Sequence, residues 1–221
     1  MSLFEIMGPI MVGPSSSHTA GAVRIGAMAR RLLDDKPIRA NIFLHGSFAA
    51  TGVGHGTKQA LIAGLLGMKP DDERIPRSFE LTEEAGLSFT FDTKELRGAH
   101  PNSVLIHLLG KEGTQISMEA ASLGGGRISI NKLDGVEVEF SGDYNTLVVY
   151  NEDRPGCVVS VAELLAKDAV NIADMTLFRE RRGGRAVMII ETDQTIPEKA
   201  VLAIRTVPGI IKVTCCNRED I

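Results

Sequence analysis

At 221 residues the chain can form one large domain or two smaller ones, each able to bury a core of its own. Hydrophobic residues at 43% and charged residues at 24% are ordinary for a soluble globular protein. A net charge of -4 gives no general attraction to phosphate backbones or anionic lipid surfaces, so neither nucleic acid nor a membrane is an expected partner.

The opening MSLFEIMGPIMVG lacks a basic region and an uninterrupted apolar run, and no later segment approaches membrane-spanning length. No signal peptide is therefore expected. Gly13-Pro14-Ser15-Ser16-Ser17-His18-Thr19-Ala20-Gly21 then packs hydroxyl and imidazole groups into five consecutive positions ahead of a helical segment. Backbone N–H groups at a helix start carry partial positive charge, so this stretch can hold a carboxylate, and an imidazole there is pushed towards its neutral, proton-accepting form. A helix cap needs only one hydroxyl, which makes Ser15, Ser16, Ser17, His18 and Thr19 the candidate catalytic residues.

Ala22 to Asp35 sets Ile25, Met28, Ala29, Leu32 and Leu33 at helical spacing. Gly21 and Gly26 cost such a helix about 1 kcal/mol each unless another backbone or a ligand comes close. Asn41 to Leu44 reads as a strand. It runs into a glycine-rich loop, His45 to Thr57, followed by a helix over Lys58 to Leu66 with Gly67 just past its end. The loop lacks the GxGxxG register, and no GxxxxGK[ST] pattern occurs in the chain, so a nucleotide site is not expected. Gly54, His55, Gly56 and Thr57 instead suit either a small carboxylate at a helix start or a tight turn.

Arg77 to Ala85 reads as a short helix closed by Gly86, and Leu87 to Phe91 as a strand. In His100-Pro101-Asn102-Ser103 the proline holds His100 extended, so His100 and Asn102 are candidate ligand contacts. Strands follow at Val104 to Leu109, Thr114 to Ala121, Arg127 to Leu133 and Val136 to Phe140. Ser122-Leu123-Gly124-Gly125-Gly126 separates two of them, and three successive glycines mark a bulge or a close approach, which brings Gly124 and Gly125 onto the candidate list. His45 and His107 have no neighbour at a metal-ligand spacing and read as structural.

Ser141-Gly142-Asp143 is the expected linker, dividing 1–143 from 144–221. Beyond it come a strand at Asn145 to Tyr150, a helix at Gly156 to Lys167, strands at Ile172 to Phe178 and Ala186 to Glu191, a helix at Glu198 to Arg205 and a strand at Ile210 to Cys215. This βαββαβ order is ferredoxin-like, and the chain as a whole reads as α+β. Cys157, Cys215 and Cys216 form neither a disulfide framework nor a CxxC pair, which points to a reducing cytoplasm and leaves the chain without ligands for a metal centre of its own.

Asn151-Glu152-Asp153-Arg154-Pro155-Gly156 leading into a helix, with Val207-Pro208-Gly209 before the last strand, resembles an ACT domain. The resemblance implies an amino acid effector near the first strand-helix loop, with Asp153 and Gly156 as its contacts, and pairing of two copies through this or the first domain. The first part resembles the β chain of the two-subunit, iron–sulfur dependent bacterial L-serine dehydratase through GPSSSHTAG, GSFAATGVGHGTKQALIAGLLG, HPNS and SLGGG. That family converts L-serine to pyruvate and ammonia. The resemblance implies a 4Fe–4S cluster carried by a separate α chain, whose open iron acts as a Lewis acid on the departing hydroxyl. His18, or a serine of the same cluster, would take the α proton, while Ser15, Ser16, Ser17 and Thr19 hold the carboxylate or leaving group. The first domain is also similar to the allosteric substrate-binding domain of some phosphoglycerate dehydrogenases, which implies, as the alternative, a non-catalytic L-serine sensor.

Overall fold

A computed structural model describes residues 15–51 and 56–218. The chain divides into two compact units, Met1–Asp134 and Gly135–Ile221, ahead of the Ser141-Gly142-Asp143 stretch at which the sequence suggested a linker.

In the first unit a π-helical turn, Ser16–Gly21, runs directly into α1 (Ala22–Leu33). There follow β1 (Pro37–Leu44), a short α2 (Gly46–Thr51), α3 (Thr57–Leu65), α4 (Ser78–Ala85), β2 (Ser88–Thr93), β3 (Ser103–Gly110), β4 (Gln115–Gly124) and β5 (Arg127–Leu133). The strand order is β2-β1-β3-β4-β5. β2 lies parallel to β1, and the remaining neighbours are antiparallel. Alternation along the strands sends Ala40, Ile42 and Leu44, Val104, Ile106 and Leu108, Ile116, Met118 and Ala120, and Ile128 and Ile130 into the core.

α1 and α3 pack against each other, and glycines set their separation. A Cβ added at Gly26 would lie 2.2 Å from the Leu61 carbonyl oxygen, and one at Gly64 2.0 Å from that of Val23. The close backbone approach expected at Gly26 is made by α3. At Gly21 an added Cβ would meet Ser122 Oγ at 2.1 Å, so β4 comes equally close to the turn.

Three sequence expectations change in extent. β1 begins at Pro37 rather than Asn41, because its first half pairs with both β2 and β3. Part of the loop after it is helical, since Gly46 adopts φ 53 and Ser47 N–H donates to Pro101 O at 2.7 Å. β4 runs on to Gly124 instead of ending at Ala121, its tail pairing with β5.

The second unit holds β6 (Val136–Phe140), β7 (Asn145–Glu152), α5 (Cys157–Lys167), β8 (Ile172–Arg179), β9 (Arg185–Thr192), α6 (Glu198–Arg205) and β10 (Ile210–Cys216). From β7 onwards the order is βαββαβ, and the four-stranded sheet runs β10-β7-β9-β8, all antiparallel. Leu147, Val149, Met188, Ile190 and Val213 on one face pack with Val161 and Leu165 of α5 and Ala200 and Ile204 of α6.

Candidate functional site

Ser15 has extended backbone, φ -142 and ψ 124, and caps the turn: its Oγ accepts the His18 N–H at 3.2 Å, and its carbonyl accepts the Thr19 N–H at 2.9 Å. That geometry folds the His18 ring back over the cap. Ser15 Oγ lies 3.3 Å from His18 Nδ1, and Ser47 Oγ lies 3.3 Å from Nε2. The Phe48 ring, fully buried, stands 5.3 Å from the imidazole and tilted to it by 59°. Ser15, Ser16, Ser17 and His18 are half-buried, whereas Thr19, Ala20 and Gly21 sink into the core.

Two further motifs reach this turn, through Ser47 and through the β4–β5 glycines. Ser16 Oγ accepts the Gly125 N–H at 3.2 Å, and Arg24 Nη1 donates to Gly126 O at 2.9 Å, so the β4–β5 turn is stitched onto it. Gly124, Gly125 and Gly126 take φ of 91, 62 and 78, a run of left-handed backbone that favours glycine. The close approach expected there is made by the chain itself, with Ser17 Oγ 3.5 Å from where a Gly124 Cβ would stand. The His100–Ser103 segment ties two sides together. Pro101 O receives Ser47 N–H, Asn102 O receives Ser122 N–H at 3.0 Å, and Asn102 Nδ2 reaches Ser122 O at 3.5 Å. His100 is exposed, and its Nδ1 accepts the Asn102 N–H at 3.1 Å, so both residues serve the loop's own conformation.

Thr57 opens α3 with its side chain fully buried, and Gly56 before it takes φ 71 with no other described residue within 4 Å of an added Cβ. Gly54 and His55 lie outside the described residues. Among the described residues Thr19, Thr57 and Ser122 carry buried hydroxyl oxygens with no hydrogen-bond partner, an arrangement that costs roughly 1–3 kcal/mol for each such group. Ser47, Ser122 and Phe48 were not among the candidates. The signal for Ser47 was available: a hydroxyl next to a glycine at the junction between a strand and a helical segment, the same pattern that drew attention to Ser15.

In the second unit Gly156 adopts φ 97 at the start of α5, with no side-chain cap and, among the described residues, nothing within 4 Å of an added Cβ. Asp153 is engaged by the β8–β9 turn. Its carboxylate accepts the Gly183 N–H at 2.8 Å and pairs with Arg179 at 3.4 Å, contacts that close the β8–β9 turn and hold it below the usual carboxylate range. None of the three cysteines is joined in a disulfide. Cys157 and Cys216 are buried, Cys157 donating to Glu152 O at 3.7 Å and Cys215 to Asn217 Oδ1 at 3.5 Å. Among the described residues no three His, Cys, Asp or Glu side chains are placed to hold a metal ion. His45 Nδ1 accepts Leu96 N–H at 3.2 Å, and His107 packs edge-on to Phe43 at 5.6 Å, both structural uses of the ring. No described helix is long and apolar enough to cross a membrane.

The family model for the serine dehydratase β chain matches residues 2–85, and that for the ACT domain matches residues 145–209. The chain is 40% identical over 213 residues to the probable L-serine dehydratase β chain of Bacillus subtilis, covering 96% of each. It is likewise 40% identical over 204 residues to the L-serine dehydratase β chain of Peptoniphilus asaccharolyticus, covering 92% of each. Similarity to the D-3-phosphoglycerate dehydrogenase of Bacillus subtilis is lower, 23% over 193 residues, and spans 87% of this chain but 36% of that enzyme. The chain belongs to the L-serine dehydratase β-chain family, with an ACT domain at its C-terminal end.

Proposed function

We propose that this chain is the β subunit of a two-chain L-serine dehydratase, a lyase releasing pyruvate and ammonia, and that the Ser15–Thr19 turn is its share of the reaction chamber. The full-length similarity to relatives named as β chains supports the reading. The observation that carries it within this chain is the half-buried His18 with a serine hydroxyl at each ring nitrogen. In this reading the 4Fe–4S cluster sits on the α chain and supplies Lewis-acid assistance to the departing hydroxyl. This chain draws off the α proton through His18 and holds the substrate carboxylate with serine hydroxyls of the turn. The opening at Gly156 is the proposed place for an amino acid effector.

Anaerobic co-expression with a candidate α chain, followed by pyruvate release from L-serine, tests this. Turnover that needs both chains is expected; an assembled, cluster-loaded pair that makes no pyruvate contradicts it. The sensing alternative has one support of its own, the similarity to a phosphoglycerate dehydrogenase. It predicts L-serine binding to this chain by calorimetry together with an inactive pair.

A further inference from the structure

Both ring nitrogens of His18 face serine hydroxyls, so neither is presented to a substrate without a hydroxyl beside it. We propose that Ser47 is the group through which His18 exchanges a proton with the substrate, and that Ser15 fixes the tautomer from the opposite side. The nature of the substrate rests on the dehydratase reading above; the hydrogen-bond assignment does not.

A neutral imidazole has one N–H and one lone pair. Ser15 Oγ already acts as an acceptor, because capping requires it to take the His18 backbone N–H. Donation of Nδ1–H to the same oxygen uses its other lone pair. In the proposed tautomer Nδ1 carries the proton, so Nε2 is unprotonated and accepts from the Ser47 hydroxyl. Ser47 is held for this role by its own N–H on Pro101 O, by the left-handed Gly46 before it, and by Phe48 against the imidazole. The arrangement is a serine activated by a histidine whose far nitrogen is anchored by a second oxygen.

The transfer balances. The proton on the substrate α carbon passes to Ser47 Oγ as the Ser47 proton passes to Nε2. The electron pair left on the α carbon forms the new double bond while the β carbon–oxygen bond breaks and hydroxide departs. The imidazolium then returns its proton through Ser47, giving water and restoring neutral His18.

Nitrogen-15 NMR of the histidine rings in the full chain tests the assignment without any activity, with His18→Gln identifying the resonances. The Nδ1–H tautomer is expected for His18 in the wild type, a shift towards Nε2–H in Ser47→Ala, and retention of Nδ1–H in Ser47→Thr, which keeps the hydroxyl. An Nε2–H ring in the wild type, or a ring indifferent to Ser47→Ala, overturns the proposal. In the assembled two-chain enzyme Ser47→Ala should lower kcat at least tenfold with KM changed by less than about twofold, and Ser47→Thr should recover most of the loss. An unchanged kcat overturns the relay. If the wild-type pair makes no pyruvate, the dehydratase reading fails while the tautomer measurement still decides the hydrogen bonds.

Discussion

His18 and His107 show how one side-chain type is put to two uses. His18 sits half-buried in a turn that supplies hydroxyls at both nitrogens, an arrangement suited to moving a proton. His107 lies on a strand, against Phe43, where burial, assisted by Lys94 and opposed by Asp134, holds its imidazole below the ordinary value. The fold therefore favours the neutral ring. Below about pH 6.5 the unfolded chain takes up this proton first, so the contribution is present above that value and is lost as pH falls through the lower folded one. His107→Gln should narrow the gap between the urea midpoints at about pH 7.5 and about pH 5.5; an equal or wider gap contradicts the assignment. The serine and histidine cluster was legible because its density exceeds the need of a cap. Ser47 was not, because its meaning depends on a contact with a residue 29 positions earlier.

At the level of elements, the amphipathic helices were legible from their periodicity, and α1, α3 and α6 lie close to where spacing placed them. What spacing did not reveal was pairing. The parallel neighbour β2 of β1 and the continuation of β4 to Gly124 are fixed by contacts distant in sequence. Gly26 sits between, since its cost inside a helix signalled a close approach without naming Gly64 as the other half of it. Two effects oppose each other at Gly64. Alanine gains about 1 kcal/mol of helix propensity, but its Cβ enters the Val23 carbonyl, and overpacking of this kind costs about 1–3 kcal/mol or more. Because the obstacle is backbone, the clash should win, and Gly64→Ala should lower the unfolding free energy by about 2 kcal/mol in urea titration. A variant as stable as the wild type contradicts the packing described for α1 and α3.

For the molecule as a whole, Ser47 and the β4–β5 glycines reach one turn of the first unit, with His100–Ser103 bonded to Ser47 and Ser122 beside them, while the second unit carries an ACT domain with nothing among the described residues within 4 Å of an added Gly156 Cβ. The βαββαβ order was legible because each of its elements carries its own periodicity and turn residues. The use of Asp153 was not: its carboxylate is taken by the β8–β9 turn, whose position follows from strand pairing. The account depends on His18 as the proton acceptor within a chamber completed by an α chain. The most direct measurement is L-serine turnover by the assembled pair carrying His18→Ala, with assembly checked by size-exclusion chromatography. The account predicts an intact complex slowed by about two decades or more, and an intact complex turning over at the wild-type rate would contradict it.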